Sequence, residues 1–152
     1  MVDHQGLDKL DRLVAELQRE IDARESEIYS ARVLQQARQP SNLRPMEDPD
    51  GHAAITGWCG DTMEIFLRLD GSAIREATFL TDGCGPSVAC GSMVTTMVQG
   101  LSLAEAQALR PDDLILALDG LPDDSTHCAE LAVQALHQAL SNGQSHRTRE
   151  VG

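Results

Sequence analysis

Thr81-Asp82-Gly83-Cys84-Gly85-Pro86-Ser87-Val88-Ala89-Cys90 joins two different hydrophobic rhythms. Ahead of it, Ile74, Ala77, Phe79 and Thr81 alternate with polar residues, the period of a half-buried strand. Behind it, Val88, Ala89, Met93, Val94, Met97 and Val98 recur at the spacing of a helix face. Glycine on both sides of Cys84 permits a tight turn, and Pro86 suits the first helical position. Cys84 is therefore expected on a strand-to-helix turn, at the positive end of a helix, where thiolate is favoured. The plainer reading of the same stretch is a buried cysteine beside a turn.

Working outward toward the N-terminus, Asp70-Gly71 is a hairpin signal, and Met63, Ile65, Leu67 and Leu69 alternate as a second strand. His52 to Gly57 reads as a short third strand, which makes an antiparallel meander. Gln39 to Gly51 carries three of the six prolines and no periodic signal, so it reads as a linker. Before it lies helical sequence. Leu7, Leu10, Val14, Leu17, Ile21 and Ile28 keep a seven-residue rhythm broken by Arg24, and a helical pattern resumes to Arg38. This first segment packs on its own domain or on a partner, and one long helix or two fit the pattern equally.

Toward the C-terminus, the helix from Pro86 stops at Gly100. Ser102 with Glu105 forms a capping box, and Pro111 opens a short helix to Leu118. A last helix runs from about Thr126 to Leu140 on a stripe of Leu131, Ala132, Ala135, Leu136 and Ala139. Asn142-Gly143 is expected to end it, leaving a polar tail. The fold class is α+β: a three-stranded meander packed against helices, with an added N-terminal amphipathic helix. The expected division is 1–28 helical extension, 29–141 main domain and 142–152 tail.

The formal net charge of −12 over 152 residues argues against nucleic acid and anionic membranes as partners. No apolar run is long enough for a membrane span, and the polar N-terminus does not read as a signal peptide. Four cysteines in such a chain read as reduced, cytoplasmic thiols, suited to metal binding or reactivity.

Three of them sit at element boundaries. Cys59 and Asp61, two apart before the central strand, can face one site. Cys84 holds the turn. Cys128 follows His127 at the start of the last helix, after Asp123, Asp124 and Ser125 as cap candidates, so a helix end is expected to stabilise its thiolate too. Cys90 reads as a small packed residue among Ala89, Gly91 and Ser92. Three thiolates, a carboxylate and an imidazole form a soft donor set with one hard edge, suited to zinc or iron–sulfur chemistry and to exchangeable binding. Each cysteine could instead be an ordinary core residue. A thiol enzyme using Cys84 or Cys128 with His127 as base is a weaker reading, because neighbours on a helix point about 100° apart.

Cys59-Gly-Asp61, Gly83-Cys84-Gly85 with Ala89 and Ser92, Gly100 with Leu103, Glu105 and Ala106, Leu121-Pro122, and His127-Cys128 with Leu131 and Ala132 occur together in that order. Tyr29-Ser30-Ala-Arg-Val-Leu and Gln39-Pro40-Ser41-Asn42 precede them. From Tyr29 to Leu140 the chain resembles the U-type iron–sulfur cluster assembly scaffolds, the IscU/NifU N-terminal domain family.

The resemblance implies a scaffold rather than an enzyme. On it a [2Fe–2S] cluster would be built from iron and sulfide and passed to apo-proteins. Cys59, Asp61, Cys84 and either Cys128 or His127 would be the ligands. A pyridoxal-phosphate cysteine desulfurase would deliver persulfide to Cys128 or Cys84. A zinc-binding relative working as an interaction module through its N-terminal helix is the alternative. Three departures stand out. Leu121-Pro122-Asp123-Asp124-Ser125 replaces the family's Leu-Pro-Pro-Val-Lys, so hand-off to a DnaK-type chaperone is not expected. Trp58 replaces the usual alanine beside Cys59, where it would shield the site or meet a partner. The helix from Leu7 to Arg24 is extra and points to a homodimer or a dedicated partner.

Overall fold

Three strands, β1 (Gly51–Thr56), β2 (Thr62–Asp70) and β3 (Ala73–Thr81), form one antiparallel sheet in the order β1-β2-β3. A computed structural model describes residues 4–151, with side chains described for residues 8–144. The helices are α1 (His4–Ile28), α2 (Ala31–Arg38), α3 (Gly85–Val98), α4 (Leu103–Gln107), α5 (Pro111–Ala117) and α6 (Thr126–Val151), with a 3-10 turn at Asp123–Ser125. The fold is α+β, as the alternation of periods predicts.

Met63, Ile65 and Leu67 of β2 and Ala77 and Phe79 of β3 are fully buried against α3 and α6. Ile74 joins them although it lies three residues from Ala77, an odd spacing for one face of a strand. The pairing explains it: Arg68 faces Glu76 while Leu69 faces Ile74, so Arg75 is the extra residue of a bulge. The hairpin turns at Gly71, whose φ of 63° is the left-handed conformation that favours glycine.

The N-terminal helical sequence divides in two. Tyr29 and Ser30 leave the helix, and Ser30, in extended conformation, caps α2 by accepting from the Val33 N–H at 3.0 Å. The Ser102–Glu105 capping box of α4 forms in both directions, with bonds of 3.0 and 3.1 Å.

Two expectations are corrected. The segment after α2 is aperiodic but not a free linker. Phe79 N–H donates to Asn42 O at 2.9 Å and Arg44 N–H to Phe79 O at 3.1 Å, which satisfies the outer edge of β3. Ser41 N–H and the Asn42 amide bond Ser92 and Thr95 of α3. Second, Asn142-Gly143 does not end the last helix, which runs on to Val151. A Cβ on Gly143 would stand 3.2 Å from the Asp50 carbonyl oxygen, and one on Gly51 only 2.4 Å from the Ala139 carbonyl oxygen. These glycines let α6 lie against the start of β1. At Gly143 the residue type answers a packing need rather than marking a helix end.

Candidate functional site

The thiols come from three places that the sheet and two helices bring to one end of the molecule. The β1–β2 connection, residues 57–61, is a closed turn. Gly57 N–H donates to Asp61 O at 2.8 Å and Gly60 N–H to Gly57 O at 3.0 Å, with Gly60 at φ 92°. It carries Trp58, Cys59 and Asp61. The β3–α3 turn is tied to β2: Thr62 N–H donates to the Asp82 carboxylate at 2.7 Å and the Thr81 hydroxyl to Thr62 O at 2.7 Å. Cys84 follows as the N-cap residue of α3, in extended conformation, with Pro86 in the first turn. It is exposed and its side chain makes no capping bond. That is the strand-to-helix turn read from the sequence. The start of α6 supplies His127 and Cys128.

Ser87 links these pieces. It is buried, and its hydroxyl lies 3.2 Å from Asp61 Oδ2 and 3.5 Å from Cys128 Sγ. A Cβ on Gly83 would stand 2.5 Å from Ser87 and 2.9 Å from Asp61 Oδ2, so only glycine leaves room for this junction. The sequence signal was available: a hydroxyl three residues after Cys84, in the first turn of the helix. A hydroxyl in a first turn has many uses, and only the folded chain shows that it bridges the Asp61 loop to Cys128.

Cys59 and Cys84 are exposed and Cys128 is 5% exposed. The expectation that a helix end would hold Cys128 as thiolate is corrected. Burial pushes its proton affinity up, the Ser87 hydrogen bond draws it partly back, and the nearby Cys59, Asp61 and Cys84 raise it further. The dipole at a helix start is worth about 0.3–1 kcal/mol, and desolvation outweighs it here. Cys128 thus keeps its proton to higher pH than a free thiol, and releases it when a cation replaces the lost hydration. Cys90 is fully buried and its thiol is also pushed up, chiefly by burial; it is the packed residue expected.

His127 turns back toward its neighbour, with Nε2 3.7 Å from Cys128 Sγ, so the helical angle does not separate them. The thiol beside it is raised rather than lowered, the opposite of an activated nucleophile. Trp58, 85% exposed, sets its ring 5.1 Å from the His127 ring. Together with Cys59, Glu130 and Leu131 they line a cleft of about 160 Å³. Larger clefts open along α6 near His137 and along α2, and neither is lined by a cysteine. Among the described residues, no three His, Cys, Asp or Glu side chains are gathered closely enough to hold a metal ion as they stand. The donors are neighbours rather than a finished cage, and two of the three thiols sit on exposed turns.

Residues 28–150 match the NifU-like N terminal domain. The chain belongs to that family. It is 34% identical over 131 residues to an iron–sulfur cluster assembly scaffold protein IscU of Archaeoglobus fulgidus, covering 82% of this chain and 86% of the relative. To the IscU scaffold of Escherichia coli it is 35% identical over 124 residues, covering 78% of this chain and 96% of the relative. Among solved structures, the N-terminal NifU-like protein of Brucella abortus superposes with a TM-score of 0.63 at 18% identity, over 78% of this chain and 95% of that one, a likeness of fold. The NifU-like match leaves α1 outside it except for Ile28. No helix among the described residues is long and apolar enough to cross a membrane.

Proposed function

We propose that this NifU-like domain is a scaffold for iron–sulfur cluster assembly, with residues 29–141 as the working domain and 1–28 as an added helix. Cys59, Asp61, Cys84 and either Cys128 or His127 are the cluster ligands in this reading. The observation that carries it is the Ser87 bridge, 3.2 Å to Asp61 and 3.5 Å to Cys128, three residues from Cys84. It ties loop, turn and helix start into one neighbourhood of soft donors and one carboxylate. The names of the A. fulgidus and E. coli relatives support the same reading.

Iron and sulfide are cargo rather than resident cofactors. Sulfur arrives as a persulfide on a cysteine desulfurase. The thiolate of Cys84 or Cys128 attacks its outer sulfur, the donor's S–S bond breaks and the donor leaves as thiolate. Reducing that sulfur to sulfide takes two electrons from an added reductant. Cys84, exposed on a turn, is the more accessible sulfur; Cys128 becomes available as iron binds and displaces its proton. The finished [2Fe–2S] cluster passes to apo-proteins, and the two exposed thiols give it an open side. The acidic Asp123-Asp124-Ser125 turn is a poor match to a chaperone that grips a basic segment.

The test is anaerobic reconstitution with ferrous iron, cysteine, a desulfurase and a thiol reductant, followed by visible absorption and metal analysis. A brown protein with sulfide-to-iron charge-transfer bands is expected. A colourless chain that keeps zinc under these conditions would establish the zinc-binding alternative instead. Asp61→Ala is expected to slow cluster loss to a chelator or an acceptor several-fold. A carboxylate is a hard, easily displaced donor among soft ones, and its removal takes away the point where exchange begins. Equal loss rates for the variant and the parent would mean that release starts elsewhere.

A further inference from the structure

Helix α1 presents an apolar stripe that no other described residue of the chain covers. Leu10, Leu13, Val14, Leu17, Ile21 and Ile28 are each between 49% and 59% exposed. Among residues 8–28 only Asp22 and Glu25 are even half-buried, beneath Arg38 of α2. An apolar stripe of this length on a surface marks an interaction site. Its phase identifies the occupant. In heptad register Val14, Ile21 and Ile28 fall at a, and Leu10 and Leu17 at d. Among parallel coils, β-branched residues at a with leucine at d favour two strands.

We propose that α1 pairs, parallel and in register, with α1 of a second copy of this chain. In that register each g residue faces the e residue five positions further along the other helix. Leu13 then faces the aliphatic stem of Gln18 at the edge of the seam, and Glu20 faces Glu25. This like-charged pair is offset from two directions. Arg38 lies 2.6 Å from Glu25 and 3.1 Å from Asp22 of its own chain. Arg24, the one polar residue in the seam, stands at d opposite Arg24 of the copy, and Glu25 of each chain lies alongside, so two carboxylates flank the two guanidinium groups. A single polar core position of this kind sets register at some cost in stability. An antiparallel pair would seat Arg24 opposite an aliphatic a residue and leave its charge unmatched. Acidic flanks also make the stripe a poor ligand for an anionic membrane.

The pairing has a consequence for the site. Glu25, in the last turn of α1, and Tyr29, just beyond it, share a cleft of about 230 Å³ with Gly85 and Pro86, next to Cys84. A parallel coil therefore sets the Cys84 turns of both copies at the same end of the assembly. The coil itself involves no metal and stands apart from the scaffold reading.

Sedimentation equilibrium of the full chain tests it. Twice the 16.5 kDa chain mass is expected, falling to the monomer mass in a Val14→Asp, Leu17→Asp double variant. Both side chains are exposed on the single chain, so the variant's thermal melt should match the parent's in the domain transition. Orientation is read from Leu10→Cys, oxidised and digested: a disulfide joining position 10 of one copy to position 10 of the other is expected. A parent chain that sediments as a monomer overturns the proposal. So does a dimer that survives the double substitution, or a dimer in which positions 10 do not join.

Discussion

Cys59→Ser, Cys84→Ser and Cys128→Ser are each expected to abolish cluster reconstitution, whereas Cys90→Ala leaves it intact. Serine keeps the shape of each side chain and removes the soft donor, and an alkoxide is not formed near neutral pH as a thiolate is. Cys90 is the internal control. It is as buried as any residue in the core, and its thiol is held protonated by that burial. Visible absorption, iron and sulfide should be near background in the first three variants and at the parent level in the fourth. Far-UV circular dichroism should change little for Cys59→Ser and Cys84→Ser, because both side chains are exposed. Cys128→Ser also replaces a buried thiol that Ser87 contacts, so its readout needs a fold check beside it. Retained colour in any two of the three ligand variants would dismantle the proposed donor set.

The strands, the Cys84 turn, the capping box and the family likeness were legible in the chain because each rests on local chemistry. Alternation, glycine beside proline, and serine three residues before glutamate act over a few residues. What was not legible depends on residues far apart in sequence. Asn142-Gly143 has the composition of a helix end, yet Gly143 serves the approach of α6 to Gly51, some ninety residues earlier. Cys128 has the position of a stabilised thiolate, yet its burial outweighs the helix end, and burial is decided by the whole fold. Ser87 looked like one small residue among several until Asp61 and Cys128 met on either side of it. The aperiodic stretch after α2 offered no pattern because its partners are the edge of β3 and the hydroxyls of α3, not its own neighbours.

The same distinction gives the second large effect, on stability. Phe79→Ala is expected to cost about 3–5 kcal/mol, the usual range for emptying a buried phenylalanine site. That is a large part of the ~5–15 kcal/mol that holds a domain folded. Phe79 is fully buried, and its ring lies where a Cβ on Gly91 would stand, 2.3 Å from Cδ2. Gly91 is thus the place where α3 rests on the sheet, and its lack of a side chain sets how closely Cys84, at the head of that helix, approaches the site. Gly91→Ala in the parent forces ring or helix to move, at a cost of about 1–3 kcal/mol for overpacking. In the Phe79→Ala background the obstacle is gone, and alanine should then help by up to about 1 kcal/mol through its better helix propensity. The sign of the Gly91→Ala effect is therefore expected to invert between the two backgrounds. Urea denaturation of the four chains closes this double-mutant cycle and gives a coupling that neither single variant reveals. A cycle that adds without coupling would mean that the contact between α3 and the Phe79 ring does not govern how the helix seats.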